Sequence, residues 1–291
     1  MADVPASICL VDGVLLADPR VSVFDRGYLH GEAVFETVRV YDRLPWRLEE
    51  HLARMRGAAT RVGIAMAPTA RWIAETTEAL RVKPWDGDAV LRLTLSRGAS
   101  VAAFGDASTA VPVRVVTLAP LPPAIARAAD VGVRLAVVAV DRSVPAPGVV
   151  SLAGLKTASY LLHLLAEREA ARRGFDGALL RTPDGTVLEA SAANVFLVHG
   201  DVLQTPSLDT GPLPGVTRAD ILGLAAGAGL RVVEGRVATP DLWTADEVFL
   251  TSSLREVVPV LAVDDHEVGD GTTGPRTRAL LERYRALVRA G

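Results

Sequence analysis

Apolar and polar residues alternate along several short runs of this chain and recur at helical spacing along others, so strands and helices separate on pattern. Strands are predicted over 7–10, 34–41, 89–95 and 111–118. Leu48, Leu52, Met55, Ala59 and Val62 recur three or four residues apart and predict one helix, and a second is predicted over 68–80, before Pro84. This first half reads as α+β. The stretch Ala119-Pro120-Leu121-Pro122-Pro123 is the best linker, because prolines so closely spaced fit neither a central strand nor a helix interior. The expected division is a small domain over 1–118, a linker over 119–126 and a larger domain over 127–291.

In the second half, a strand over 132–140 leads through the loop 141–148 to a helix predicted over 158–173, which ends in basic residues and Gly174. Three short strands follow, with turns at Pro183-Asp184-Gly185 and His199-Gly200-Asp201, and the second of them carries Glu189. A helix is expected to begin near Thr217 and a strand near Arg231, and 247–251 reads as a buried strand feeding a polar loop. No internal repeat or low-complexity segment interrupts this order.

With 291 residues, 49% hydrophobic and 22% charged, the chain is long and apolar enough for two domains with a core each. A dispersed net charge of −3, without basic runs interleaved with aromatics, argues against nucleic acid as a partner. Cys9 is the only cysteine, which rules out an intramolecular disulfide and suits a small buried hydrophobe. No leader-like segment opens the sequence and no apolar run could span a bilayer. A soluble, cytoplasmic protein is expected, with small molecules and further copies of itself as partners and no membrane.

The candidate chemistry starts at Lys156. It lies among small and apolar residues in Gly154-Leu155-Lys156-Thr157-Ala158-Ser159-Tyr160. Such a lysine is costly to keep charged unless paired, so it is either a nucleophile for Schiff-base chemistry or a long stem snorkelling along apolar surface. Glu189 follows about thirty residues later and, read alone, could be an exposed strand glutamate. Tyr160, four residues after Lys156, would share its face if both lay in one helix. Pro214-Gly215-Val216-Thr217 places a glycine and a hydroxyl at a helix start, which fits either a phosphate or an ordinary cap. His51, His163, His199 and His266 show no metal-ligand spacing, and no metal site is expected. Neither a nucleophile elbow nor a Walker or dinucleotide loop is present.

These segments resemble the fold-type IV pyridoxal-phosphate enzymes, the class IV aminotransferases and aminodeoxychorismate lyases. The likeness runs nearly end to end, from Phe24-Asp25-Arg26-Gly27-Tyr28-Leu29-His30-Gly31-Glu32-Ala33-Val34-Phe35-Glu36-Thr37-Val38-Arg39 through Glu50-His51-Leu52-Ala53-Arg54-Met55 and the lysine segment. It continues through Leu188-Glu189-Ala190-Ser191-Ala192-Ala193-Asn194, Leu213-Pro214-Gly215-Val216-Thr217-Arg218 and Phe249-Leu250-Thr251-Ser252-Ser253-Leu254-Arg255-Glu256-Val257. The resemblance implies an α+β fold of two domains, a small N-terminal α/β domain and a larger one with a barrel-like β core. It also implies a site between domains at a homodimer interface.

For the residues, the resemblance implies Lys156 as the pyridoxal-phosphate lysine and the acid and base at substrate Cα. Glu189 would face the ring nitrogen and Tyr160 the phenolic oxygen. Arg54, Ser191, Asn194, Leu213, Gly215, Val216, Thr217, Ser252 and Ser253 would complete the cofactor site. On the helix wheel Arg54 lies away from the apolar stripe, which alone predicts a solvated face.

The substrate side departs from the family patterns. Where D-amino acid transaminases carry an arginine and a histidine after the segment like Ser96-Arg97-Gly98, this chain reads Ala99-Ser100-Val101-Ala102-Ala103-Phe104-Gly105. Where branched-chain enzymes place a tyrosine two residues before an arginine, Val90 precedes Arg92, and His30 stands at another of their tyrosines. Arg92 is the leading carboxylate anchor, with an interface arginine as the alternative, and His30, Phe35, Ser253 and Leu254 are the other expected substrate contacts. The expected activity is transamination between an amino acid, D-configured or even an (R)-amine included, and a 2-keto acid. Aminodeoxychorismate lyase and branched-chain L-amino acid aminotransferase are the alternatives.

Overall fold

A computed structural model of the chain describes residues 7–83, 85–101, 104, 106–142 and 148–291. Pro84, the middle of the loop 141–148 and parts of the segment 99–105 lie outside the described residues. The chain forms two compact units, one of Met1–Pro122 with Leu155–Ser159, the other of Pro123–Gly154 with Tyr160–Gly291.

The first unit runs β1 Ile8–Val11, β2 Val14–Leu15, α1 Arg26–His30, β3 Ala33–Tyr41, β4 Leu44–Pro45, α2 Leu48–Arg61, α3 Thr69–Arg81, β5 Ala89–Ser96 and β6 Val113–Pro120. Its sheet has the order β2-β1-β6-β5-β3-β4, and every pairing is antiparallel. Val34, Val38 and Val40 of β3 and Leu91, Leu93 and Leu95 of β5 alternate into a core closed by Leu52, Met55 and Trp72 of the helices. That alternation puts Phe35 and Arg92 on the other face of the sheet, because Phe35 pairs with Thr94 and Thr37 with Arg92. Ala119 and Pro120, expected in the linker, instead close β6. Pro120 pairs with Ala89 at the strand end, where a missing N–H is tolerated.

The second unit runs α4 Pro123–Ala126, α5 Ala128–Val131, β7 Val133–Ala139, α6 Leu161–Arg172, β8 Gly177–Arg181, β9 Thr186–Ala190, β10 Asn194–His199 and β11 Val202–Pro206. It ends with α7 Val216–Leu224, β12 Arg231–Gly235, β13 Val237–Ala238, α8 Asp241–Thr244, β14 Glu247–Ser252, β15 Glu256–Val263, β16 His266–Glu267 and α9 Pro275–Arg289. The strand order is β12-β11-β10-β14-β15-β7-β8-β9-β13, with β16 beside β15. The pairs β15/β7, β7/β8 and β11/β12 are parallel, and β9 and β13 come round to approach β10 and β11, so the sheet curls on itself. Continuous burial of β9 and β14 is what such closure demands. Among the described residues no helix is long and apolar enough to cross a membrane.

Candidate functional site

Residues of the candidate site fall into two groups, one in each unit. In the first unit, β4 covers the edge of β3 only at Val40 and Tyr41, and the segment 155–159 pairs with the opposite end of that strand. Phe35 N–H donates to the Lys156 carbonyl at 3.0 Å, and Ala158 N–H to that of Ala33 at 2.8 Å. Lys156 is therefore extended, and α6 begins only at Leu161. The helical turn expected to carry Lys156 and Tyr160 on one face is not formed, because pairing with β3 takes the backbone groups a helix would need. Gly31, with φ of 71°, admits this segment: a Cβ there would lie 2.6 Å from Ser159 Oγ.

Half-buried Lys156 holds its Nζ 4.6 Å from the centroid of the Phe35 ring, and the guanidinium carbon of Arg92 lies 3.7 Å from the same centroid. Amine and guanidinium thus share one aromatic ring, in cation–π range. His30 is exposed and packs edge-on against Phe104 at 5.2 Å.

Arg54 does not have the solvated face its wheel position predicts. Its Nε and Nη2 donate to the two carboxylate oxygens of Glu36 at 2.8 and 2.6 Å, and His51 Nδ1 lies 2.7 Å from Glu36 Oε2. Glu36 is fully buried. Burial alone would push its pKa up, but the charge and hydrogen bonds of Arg54, with the His51 contact, hold it at about 2. Burial pushes the His51 pKa down from its ordinary value. Arg26 is buried in its own unit, paired with Glu32 at 2.5 Å and bonded to the Phe104 carbonyl.

In the second unit Glu189 is buried on β9 and tied to three segments. Arg142 Nη1 donates to Oε1 at 2.7 Å, Leu213 N–H to Oε2 at 2.9 Å, and Asn194 Nδ2 reaches Oε2 at 3.5 Å. Asn194 Nδ2 also donates to the Leu213 carbonyl at 2.8 Å, and Arg142 Nη2 to that of Gly211 at 3.0 Å. Arg142 and Glu36 had no assigned role from sequence. Glu36 carried a signal, a charge on the apolar face of an alternating strand, whereas Arg142 is a loop residue whose partner is remote in sequence.

Beside Glu189, α7 starts at Val216 with Gly215 as its cap and no side chain closing its first amides. A Cβ at Gly215 would lie 2.0 Å from Asn194 Oδ1, so only glycine lets this turn approach so closely. Thr217 is buried in the first turn, and Asn194 pairs across the sheet with Thr251. The hydroxyls of Ser191 and Thr251 are buried with no hydrogen-bond partner among the described residues. Ser252 Oγ accepts from the Arg255 amide at 3.3 Å, while Ser253 and Leu254 are half-buried in the same turn. Tyr160 stacks on His163 at 4.6 Å. No group of three or more potential metal-binding side chains exists among the described residues.

Comparison with known proteins bears directly on this arrangement. The family model for class IV amino-transferases matches residues 33–263. The branched-chain-amino-acid aminotransferase of Salmonella typhimurium is 31% identical over 284 residues, covering 93% of this chain and 88% of that protein. The aminodeoxychorismate lyase of Bacillus subtilis is 32% identical over 276 residues, covering 94% of this chain and 91% of its own length. Among solved structures, the branched-chain amino acid aminotransferase of Escherichia coli matches with a TM-score of 0.88 at 26% identity, over 96% of this chain and 94% of that one.

Proposed function

Because the chain belongs to the class IV aminotransferases, pyridoxal-phosphate-dependent enzymes of α+β fold type IV, we propose that it moves an amino group between an apolar, branched-chain amino acid and a 2-keto acid through Lys156. The observation that carries this reading is the pairing of Lys156 and Arg92 on the ring of Phe35. A substrate bearing both an amine and a carboxylate requires a base for one end and a guanidinium for the other.

The second group suits the cofactor. Buried hydroxyls without partners, a glycine that only a close approach explains and a helix start with uncapped amides match the needs of a phosphate dianion. Gly215, Val216, Thr217, Ser191, Ser252 and Ser253 would hold that end, joined by Arg54. When bound, the group supplies an aldehyde for the substrate amine and a ring that draws electrons from Cα. Glu189, held in position by Asn194 and Leu213, would offer its carboxylate to the ring nitrogen. Tyr160 would donate to the phenolic oxygen. Lys156 Nζ would accept the proton from substrate Cα and hold it for return. His30 and Phe35 of the first unit, and Ser253 and Leu254 of the second, would each serve as substrate contacts.

The similarity to a lyase supports a second reading, elimination of pyruvate from aminodeoxychorismate with the same lysine and glutamate. A homodimer fits the exposed apolar side chains of the first unit, where Tyr28 is 72% and Phe24 54% exposed. Mixing the loaded protein with L- and D-branched-chain amino acids, (R)-1-phenylethylamine and aminodeoxychorismate, and following cofactor absorbance and pyruvate, tests the reading. Bleaching by branched-chain amino acids with release of their keto acids is expected. Pyruvate released from aminodeoxychorismate without any response to amino acids would replace transaminase by lyase.

A further inference from the structure

Glu36 stands at a position where its strand calls for an apolar residue. It shares the core face of β3 with Val34, Val38 and Val40, all of them, like Glu36, with no exposed surface. A carboxylate there carries a large desolvation cost unless it is fully paired, and a break in a strand's own pattern is expected where function demands it. The pairing is complete and specific. Arg54 meets the carboxylate fork to fork through Nε and Nη2, and His51, one turn earlier on α2, lies against Oε2. Because the ionised Glu36 carboxylate can only accept, the short contact requires a proton on His51 Nδ1, donated to Glu36.

We infer that Glu36, with His51 behind it, is a positioning residue for Arg54, fixing the plane and direction of its guanidinium so that it meets the phosphate of the cofactor without reordering. The inference rests on the reading of Arg54 as a phosphate-binding residue. Arginine carries five N–H donors in a rigid fork, and a carboxylate clamped on one edge determines where the others aim. An unclamped arginine at this site would lose rotamer freedom on each binding event, and the buried carboxylate removes that loss beforehand. Because Glu36 also offsets the charge of Arg54, the gain is in orientation rather than in net attraction.

The test is a titration of cofactor-free protein with pyridoxal phosphate and, separately, with pyridoxal, which lacks the phosphate. In Glu36→Gln, affinity for pyridoxal phosphate should fall about tenfold or more, the scale of lost supporting contacts at ligand-binding groups, while pyridoxal affinity stays within about twofold. Adding Glu36→Gln to Arg54→Gln should cost nothing further. Equal losses for both ligands, or a full Glu36→Gln effect in the Arg54→Gln background, would show that Glu36 supports only the fold and overturn the inference. Arg54→Gln that keeps the parental preference for the phosphorylated ligand would refute the reading of Arg54 itself, whatever Glu36 does. Should Glu36→Gln fail to fold, Glu36→Asp keeps the charge but shortens the reach. It should show the same selective loss, and an unchanged preference for the phosphorylated ligand would reject the proposal.

Discussion

Glu36 and Glu189 are both buried strand glutamates in contact with an arginine, yet they are held in different ways. Among the described residues, Glu36 is hydrogen-bonded by side chains of one adjacent helix, α2. Glu189 is fixed by a loop arginine, a backbone amide and a carboxamide drawn from separate segments of the second unit. The first arrangement closes a carboxylate within a core and uses it to hold something else. In the second, the surrounding segments orient the carboxylate itself, and two oxygens with about four lone-pair directions leave acceptor capacity for one more donor. Burial and an arginine partner therefore do not distinguish a reacting group from a supporting one; the identity of the remaining contacts does.

Removing the charge of Glu189 should have the largest effect. Glu189→Gln is expected to retain cofactor but lose transamination by a factor on the order of 10² to 10³, since an amide cannot balance a protonated ring nitrogen. Stopped-flow half-reactions check this, and a variant within a few-fold of the parent would remove Glu189 from that role. Arg142→Met sharpens the contrast. Without the 2.7 Å contact to Glu189 Oε1, activity should drop about tenfold while cofactor stays bound.

Arg92→Ala should weaken amino and keto acid reactions by about 1.5 to 3 kcal/mol, the scale of a charge-assisted contact, and leave a simple primary amine nearly unaffected. Equal losses with both would make Arg92 a residue of assembly. The smallest effect concerns acid. The Glu36 pKa is depressed from 4.5 to about 2, so the stabilisation by its charged form is full above the unfolded value and lost as pH falls through that window. The difference in urea midpoint between the parent and Glu36→Gln should accordingly shrink between about pH 5 and pH 2. A constant difference would mean that the carboxylate's charge contributes nothing.

Much of the fold was legible. Alternation located β3 and β5 and helical spacing located α2, because each buries one face against a single core. The segment around Lys156 was not, since Thr157 favours a strand and Ala158 a helix, and the pairing with β3 decides their conformation. Helix α9 falls outside the expected elements, although Pro275 in its first turn and Leu280, Tyr284 and Val288 one turn apart are the signals of a helix. At the site, the types and order of residues were readable because the chemistry requires them. The role of Arg142 was not, because its partner lies on a distant strand and loop residues carry no periodicity.

The assignment of Lys156 can be tested against the only other lysine. Lys83 is buried and donates to the carbonyls of Asp42 at 3.0 Å and Gly87 at 2.6 Å, which accounts for it as a structural clasp. Borohydride reduction of the loaded protein, followed by peptide mapping, should place the pyridoxyl group on Lys156 alone, and Lys156→Ala should abolish the label. A pyridoxyl group on Lys83, or labelling that persists in Lys156→Ala, would contradict the account.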